Sequence, residues 1–321
     1  MQIDELGRHI EELGRDILAG IRRAADSSEM RAVYGLTDSG DASFNVDLMA
    51  ERIVMAWLDR IPEPIAAYTE DLGFIPSKGE AEFVIVVDAL DGSRAFKAGL
   101  ETACVSIGVA RFRGEKETCF RDLVLGYLWE TKSDVAFAAR AGCGTTIRNS
   151  WKELAPLPCL ATELMDMAWA FDVCGRPTEE LFYIIGDLIN GSAVRGGVFL
   201  LNSTTYAISR ILLGRFDAYI DVGVRVVEEL PSSTERMFAA GQKQVLGLFP
   251  YDIAATYLIA KEAGITMTDA YGRSFDERRL LGSGPETRLS CIAARNSLLH
   301  KRIMSYIDER FVDLLSRSER G

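Results

Sequence analysis

Near its beginning the chain carries apolar residues at intervals of three and four, which is the spacing of an amphipathic helix. These positions are Ile3, Leu6, Ile10, Leu13, Ile17 and Ile21. A coiled-coil dimer arm is one interpretation of this helix. Three heptads are too few for such an arm, so we predict that the helix packs on the domain. A second helix is predicted over residues 47–58, with an apolar face formed by Ala50, Ile53, Val54 and Trp57.

A different pattern appears at residues 83–87, where five consecutive apolar residues predict a strand buried on both faces. The run ends at Asp88 and Asp91, and Gly92 and Ser93 follow. Burying one carboxylate at a strand end is costly, and a second carboxylate beside it adds repulsion. A bound divalent cation offsets both costs, and oxygen ligands on a tight turn suit Mg²⁺ or Mn²⁺. An Asp-Gly turn that faces water is the alternative interpretation.

The rest of the pattern divides the chain into two halves. Apolar runs at residues 104–112, 123–129 and 135–139 predict an antiparallel sheet with helices on one side. Beyond residue 151, predicted strands (167–173, near 193–194, 216–222, 265–268 and 290–294) alternate with predicted helices (178–190, 203–213, 252–262 and 296–315). We therefore predict an α/β protein with an α+β half over residues 1–155 and an α/β half over residues 156–321, packed intimately together.

Two further acidic elements lie outside the Asp88 turn. Glu70 and Asp71 end a short apolar run upstream, and Asp252 begins the helix that runs to about Glu262. Asp252 at that position is also typical of a plain helix N-cap. The acidic positions Glu70, Asp88, Asp91 and Asp252 nevertheless match what a phosphate site with several metal ions requires.

Composition excludes several classes of protein. Thirty-six basic residues against 47 acidic residues give a formal net charge of −11, which argues against non-specific binding to nucleic acid or anionic membranes. No apolar run approaches the roughly 20 residues that a membrane span needs, and the first residues do not resemble a signal peptide. We therefore expect a cytoplasmic protein without a nucleic-acid or membrane partner.

The six cysteines are scattered and form no C-x-x-C pair, so reduced cysteines, several of them in the core, are the preferred prediction. A zinc site or a catalytic thiol is disfavoured because His9 and His300 are the only imidazoles. The cysteines are Cys104, Cys119, Cys143, Cys159, Cys174 and Cys291.

The acidic motifs resemble those of a known family. The segment D-A-L-D-G-S at residues 88–93 resembles the D-P-[IL]-D-G-[TS] motif of the inositol monophosphatase family of Mg²⁺-dependent, lithium-sensitive phosphatases. T-E-D at 69–71 resembles its G-E-E segment, and Y-D-I-A-A at 251–255 with K-E-A-G at 261–264 is similar to its W-D-x-A-A and R-E-A-G motifs. Weaker similarities lie at residues 45–51, 141–149 and 214–219. The resemblance extends from about Asp41 to His300.

The chain departs from the family pattern at Ala89 (Pro in the family), Ser93 (Thr), Tyr251 (Trp) and Asp71 (Glu). It also has a segment at residues 224–251 where the family has only a few residues. A solvated loop is the default prediction for this segment, and a pocket lid or a dimer element is the alternative. These departures concern the substrate pocket and leave the metal ligands intact.

The resemblance implies a set of metal ligands. Glu70, Asp88 and the carbonyl of Leu90 would hold a first Mg²⁺, and Asp88, Asp91 and Asp252 would hold a second. Glu70 and water would retain a weaker third ion, and Mn²⁺ would substitute for Mg²⁺.

The resemblance also implies catalytic and phosphate-binding groups. Ser93 would orient the attacking water with Asp47 as its partner, although Asp47 is equally typical of a helix N-cap. Glu70 counts among the catalytic residues. The backbone N–H groups of Gly92 and Ser93 would bind the phosphate.

For the substrate, the family positions are Ser203 and Thr204 at a helix start and Asp221 at a strand end. A helix N-cap and a solvated strand end are the plain alternatives. Arg94 would bind a second phosphate or pair with Glu101 on the surface. Arg195 is a similar candidate. So is Arg225, which loosely matches a pattern of archaeal members that also hydrolyse fructose 1,6-bisphosphate.

The resemblance thus predicts a layered α-β-α-β-α sandwich and a homodimer. It predicts an Mg²⁺-dependent phosphatase that hydrolyses inositol 1-phosphate, fructose 1,6-bisphosphate or both with a metal-activated water. A 3′(2′),5′-bisphosphate nucleotidase is the alternative enzyme, and a non-catalytic binding protein on the same fold is the alternative outside enzymes.

Overall fold

A computed structural model describes residues 2–37, 42–158, 161–241 and 246–318. Its α-helices are α1 (Ile3–Ala24), α2 (Asn45–Arg60), α3 (Ser93–Lys97), α4 (Thr178–Ser192), α5 (Thr204–Leu212), α6 (Gly223–Glu229), α7 (Thr234–Ala240), α8 (Pro250–Glu262) and α9 (Ser297–Ser318). Its strands are β1 (Val33–Leu36), β2 (Ala42–Phe44), β3 (Ile65–Thr69), β4 (Gly73–Ile75), β5 (Phe83–Asp91), β6 (Cys104–Arg111), β7 (Leu123–Glu130), β8 (Ala136–Arg140), β9 (Thr145–Arg148), β10 (Ala168–Phe171), β11 (Gly197–Phe199), β12 (Ala218–Asp221), β13 (Thr266–Thr268) and β14 (Cys291–Ala294).

Two sheets organise the described residues. The large sheet has the order β4-β3-β5-β6-β7-β8-β9, and the small sheet has the order β11-β10-β12-β14-β13. In the large sheet β3 and β5 are parallel, whereas the other neighbours are antiparallel. In the small sheet β11, β10 and β12 are parallel to one another, and β14 is antiparallel to both of its neighbours. A separate hairpin joins β1 to β2.

Three hydrophobic clusters define the layers. In the first, α1 and α2 pack on one face of the large sheet, where Leu13, Val54 and Val105 are fully buried. In the second, α5 and α8 lie between the two sheets. In the third, α4 and α9 cover the outer face of the small sheet around Trp169. This order of layers confirms the predicted α-β-α-β-α sandwich.

The opening helix is a core element. Leu6, Ile10, Leu13, Ile17 and Ile21 are fully buried against α2 and the large sheet, so the coiled-coil arm is excluded for this face. Gly14 allows the close approach, because a Cβ there would lie 2.3 Å from an atom of the Trp129 ring.

The fold corrects two predictions about local structure. The strand predicted near residues 193–194 is wrong, because α4 extends to Ser192 and the edge strand β11 begins only at Gly197. The default of a solvated loop at residues 224–251 is also wrong for the part of this segment that the structure describes, which leaves out residues 242–245. The segment includes most of α6 and all of α7, and Val226, Leu230 and Met237 are buried.

The predicted division near residue 155 stays a prediction. The strands of the large sheet precede it and those of the small sheet follow it, whereas α8 from the second half packs on β6 and β7. Among the described residues no helix is long and apolar enough to cross a membrane.

The cysteines of the described chain form no disulfide. Cys104 and Cys291 are buried as predicted, whereas Cys143 is exposed. Cys159, and Asp41 where the resemblance begins, lie outside the described residues.

Candidate active site

The site is built around the end of β5. Asp88 is only 1% exposed, although it lies next to the turn that leaves the sheet. Asp88 pairs with Ser106 and Asp91 pairs with Cys104, so β5 carries one residue more than β6 across this interval. Such a bulge re-aims side chains at a strand end. Here the bulge interrupts the regular alternation of side chains between the two faces of β5, in the interval from Asp88 to Asp91.

Strand pairing brings the predicted upstream ligand to the same place. Strands β3 and β5 are parallel, with Thr69 opposite Val87. The next residue of each strand, Glu70 and Asp88, therefore falls at the same level of the sheet edge. Glu70 is half-buried there.

The turn that carries Glu70 is held from α2. Glu51 accepts hydrogen bonds from Oγ1 of Thr69 at 2.9 Å and from the backbone N–H of Asp71 at 2.9 Å. Burial raises the pKa of Glu51 to about 7. The sequence analysis assigned Glu51 no role. The sequence feature that indicates a role for Glu51 is its position four residues after Asp47, on the same face of α2.

Asp47 both helps to cap α2 and contacts Ser93, although it is the third residue of the helix and Phe44 is the N-cap. Its Oδ2 accepts the backbone N–H of Phe44 at 2.7 Å, which caps α2. Its Oδ1 accepts the hydroxyl of Ser93 at 2.8 Å. The hydroxyl of Ser93 also lies 2.9 Å from the carbonyl oxygen of Leu90.

Gly92 forms the turn between β5 and α3 in a left-handed conformation, with φ of 94°. A Cβ at this position would lie 2.5 Å from the carbonyl oxygen of Thr102. Only glycine meets both demands without strain. This turn places Ser93 directly after the second carboxylate.

Asp91 is tied to the start of α5. Its Oδ2 accepts the hydroxyl of Ser203 at 2.7 Å, the backbone N–H of Thr205 at 2.6 Å and the hydroxyl of Thr205 at 2.5 Å. Ser203 is also the N-cap of α5, since its side chain accepts the N–H of Tyr206. Thr205 was missed by the sequence analysis, although it directly follows the predicted residues Ser203 and Thr204.

Asp252 lies in the first turn of α8, where its Oδ2 accepts the backbone N–H of Phe249 at 2.6 Å. The N-cap of α8 is Phe249 and Asp252 is the third residue of the helix, so the plain N-cap interpretation is wrong, although this oxygen still takes part in capping. Asp252 also acts on Asp88 through its charge. Asp252 thus belongs to the same cluster although it follows Asp88 by more than 160 residues.

Electrostatics shows that these carboxylates converge. Burial raises the pKa of Asp88 well above its ordinary value, and the charges of Asp91, Asp252 and Asp47 raise it further. Burial also raises the pKa of Asp91, against the hydrogen bonds from Thr205 and Ser203. Such a set is unfavourable in its ionised state unless a cation compensates it.

Among the described residues no three acidic, histidine or cysteine side chains stand ready to coordinate one ion. One oxygen of each of Asp88, Asp91 and Asp252 accepts a protein hydrogen bond instead. A metal would use the remaining carboxylate oxygens. These are hard oxygen donors in a buried anionic cluster, so the residues fit a hard divalent cation.

A pocket opens beside this cluster. It includes several predicted site residues, together with Asp172, Cys174 and Arg176, to which the sequence analysis assigned no role in the site. Its lining consists of Asp91, Arg94, Asp172, Cys174, Arg176, Asn202, Ser203, Thr204, Leu246, Gly247, Leu248 and Asp252.

Three predicted substrate residues are placed elsewhere. Arg195 donates to Asp166 at 2.6 Å on the surface and is not among the residues that line the pocket. Arg225 is buried over the ring of Phe311 and donates to Asp308 at 2.6 Å, so it is a structural residue. Asp221 is buried beneath the pocket wall, where it accepts from Arg176 and from the N–H of Gly223.

The sequence profile described as the inositol monophosphatase family matches residues 4–310. The chain belongs to the inositol monophosphatase family. The family consists of phosphatases that generally depend on metal ions, so this chain is a phosphatase and acts on a small phosphorylated molecule.

Individual relatives are distant. The chain is 27% identical to a Nus factor SuhB of Vibrio cholerae over 73% of this chain and 74% of the relative. It is 24% identical to a fructose-1,6-bisphosphatase/inositol-1-monophosphatase of Thermococcus kodakarensis, over 92% of this chain and 91% of the relative. A crystal structure of an inositol monophosphatase-fructose 1,6-bisphosphatase has a TM-score of 0.68 at 20% identity and covers 95% of this chain and all of that one. The structural similarity confirms the fold.

Proposed function

We propose that this chain is an Mg²⁺-dependent phosphomonoesterase that hydrolyses a small polyol or sugar phosphate, such as inositol 1-phosphate or fructose 1,6-bisphosphate. The observation that carries the proposal is the buried Asp88, repelled by three other carboxylates next to the Ser93–Asp47 hydrogen bond. A phosphatase site that uses several metal ions needs such a concentration of anionic oxygens.

In this proposal Glu70, Asp88, the carbonyl of Leu90, Asp91 and Asp252 hold two or three Mg²⁺ ions, and Mn²⁺ substitutes for them. Bound ions of this kind lower the pKa of water and neutralise the charge that develops on the leaving oxygen. The protein's part is to hold its carboxylates together while they are ionised.

Ser93 and Asp47 would orient the attacking water. Since Ser93 donates its hydroxyl proton to Asp47, the lone pairs of its oxygen remain available to accept a hydrogen bond from water. Asp47 keeps that proton direction fixed because its other oxygen is committed to the cap of α2. The N–H groups of Gly92 and Ser93 would then bind the phosphate oxygens.

The pocket favours an ester with polar groups around its phosphate. Thr204 lines it, as does Arg94, which is half-buried. In this proposal Arg94 binds a second anionic group of the substrate. A 3′(2′),5′-bisphosphate nucleotidase therefore stays the alternative enzyme. We also propose, from the resemblance alone, that the protein is a cytoplasmic homodimer.

Phosphate release from inositol, sugar and nucleotide phosphates, measured in Mg²⁺ and in EDTA, tests the function. We expect release from a polyol or sugar phosphate in Mg²⁺ and none in EDTA. Asp91→Asn should abolish nearly all turnover and remain folded, because its isosteric side chain keeps the shape but loses the charge. Release that persists in EDTA would refute the proposal, as would the absence of release from every ester. A preference for bisphosphorylated nucleotides would support the alternative enzyme.

A further inference from the structure

The pocket contains a carboxylate besides the predicted metal ligands. Asp172 directly follows β10 and lines the pocket together with Asp91 and Thr204. Its Oδ2 accepts the hydroxyl of Tyr219 at 2.8 Å. Within the described part of the chain, Oδ1 of Asp172 has no hydrogen-bond donor. One oxygen of this pocket carboxylate is therefore available to a ligand.

The carboxylate that family position assigns to a substrate hydroxyl is not available. Asp221 has a side chain only 1% exposed, and it does not line the pocket. Its Oδ1 accepts the N–H of Gly223 at 2.8 Å, and its Oδ2 accepts from the guanidinium of Arg176. Breaking this buried pair to reach a substrate would leave Arg176 without its counter-ion, which is strongly unfavourable.

Asp172 is held in one orientation. Tyr219, which anchors its Oδ2, also lies 3.1 Å from the hydroxyl of Thr204. Arg176 acts on Asp172 through its charge and favours the ionised form. Burial nonetheless raises the pKa of Asp172 to about 6, so the group is a carboxylate at neutral pH.

An ionised carboxylate selects between ligand groups. It accepts a strong hydrogen bond from a hydroxyl group, whereas it repels a phosphate oxygen. Arg176 lines the same pocket, but its guanidinium is paired with Asp221 and its charge favours the ionised form of Asp172. The environment of Asp172 therefore suits the hydroxyl-bearing part of a substrate and not a second phosphate.

We propose that Asp172, in place of Asp221, accepts a hydrogen bond from a substrate hydroxyl and thereby selects hydroxylated phosphate esters. The inference rests on the proposed function and names a specificity-determining residue for it. The ligand chemistry is a polyol or sugar hydroxyl positioned while the phosphate lies at the metal site.

The test compares inositol 1-phosphate with cyclohexyl phosphate, an ester of the same ring without hydroxyl groups. The quantity measured is kcat/KM for inositol 1-phosphate divided by kcat/KM for cyclohexyl phosphate, both in Mg²⁺. We expect Asp172→Ala to lower this ratio by about ten- to a hundredfold, the loss typical of a hydrogen bond to a charged group, mainly through KM for the hydroxylated ester. Asp172→Asn should lower it less, because the amide oxygen still accepts a hydrogen bond.

Asp187→Ala is the matched control, because it removes an exposed carboxylate of α4 outside the pocket. Its ratio should equal that of the wild type. Tyr219→Phe is a second variant that keeps the core volume while it releases Oδ2 of Asp172. It should lower the ratio in the same direction, and thermal melting shows that each variant is folded.

An unchanged ratio in folded Asp172→Ala would overturn the inference. A selective loss in Asp221→Asn with none in Asp172→Ala would return the role to Asp221. Equilibrium binding of both esters by calorimetry gives the same comparison without turnover. A wild-type protein that binds but hydrolyses neither ester would refute the proposed function, and the ratio of binding constants would still decide the role of Asp172.

Discussion

The hydroxyl of Ser93 lies 2.8 Å from Oδ1 of Asp47, which precedes it by 46 residues. The other oxygen of Asp47 caps α2 through the N–H of Phe44. One carboxylate therefore fixes both the start of a core helix and the orientation of the proposed water-binding hydroxyl. A change at either residue should reveal this coupling.

We predict that Ser93→Ala lowers kcat by about a hundredfold or more, because an oriented hydroxyl contributes at the level of general acid–base groups. KM should change little, and Ser93→Thr should retain most activity because it keeps the hydroxyl. The pair Asp47→Ala and Ser93→Ala should be no slower than the slower single variant, since the two groups act as a unit. Asp47→Ala alone should also lose about 1 kcal/mol of stability with its cap. Additive losses in kcat would contradict the coupling.

The buried carboxylates predict a conflict between stability and activity. Asp88→Asn removes one charge from a set that burial and repulsion disfavour. In EDTA this variant should be more stable than the wild type by on the order of 1 kcal/mol. In Mg²⁺ its kcat should fall by on the order of a thousandfold.

Thermal melting in EDTA and in Mg²⁺ measures this effect. Mg²⁺ should raise the melting temperature of the wild type far more than that of Asp88→Asn. Asp187→Asn, which changes an exposed carboxylate, is the control and should behave as the wild type in both buffers. A less stable Asp88→Asn in EDTA would show that the hydrogen bonds of Asp88 outweigh the repulsion between the carboxylates.

Arg225 separates a structural role from a substrate-binding role. It donates to Glu229, Asp308 and the carbonyl of Ala270 and lies over two aromatic rings. We expect Arg225→Lys to cost about 2 kcal/mol, because lysine replaces neither the planar fork nor the stacking. Urea unfolding measures this loss. The KM of Arg225→Lys for fructose 1,6-bisphosphate should stay that of the wild type. If Arg225→Lys raised this KM more than Arg94→Lys does, the structural role would be contradicted.

His300 predicts a pH dependence of stability. Burial holds the pKa of this imidazole below its ordinary value of 6.5, and its Nε2 lies 2.9 Å from the hydroxyl of Thr268. As pH falls below about 6.5, the unfolded chain gains a proton here before the folded protein does. The free energy of unfolding therefore decreases as the pH falls from about 6.5 to the lower pKa of the folded protein. The slope is at most about 1.4 kcal/mol per pH unit, and solvent screening of the ring makes it smaller.

Urea unfolding of the wild type and of His300→Gln at pH 7.5 and pH 5.5 isolates this contribution. The stability that the wild type loses between these two values should exceed the loss of the variant. Equal losses would show that His300 does not titrate differently in the two states.

Local hydrophobic patterns predicted much of the secondary structure of the fold. The apolar period of α1 and the unbroken run of β5 depend on neighbours along the chain, so both elements were predictable. Failures arose where the pattern was short or mixed. The three residues of β11 carry no such period, and around α6 the buried positions Val226 and Leu230 are spread among charged residues.

The sequence by itself indicated the proposed metal ligands as a set of residue types, because Asp88, Asp91, Gly92 and Ser93 lie within six residues and match a known motif. The tertiary structure alone decided which polar groups remain available to a substrate. Asp221 and Asp172 each follow or end a strand of the small sheet, and nothing in their local sequence distinguishes them. Only the packed sheet places Arg176 on Asp221 and leaves Oδ1 of the pocket residue Asp172 without a donor among the described residues, since a buried charge finds its partner through space and not along the chain.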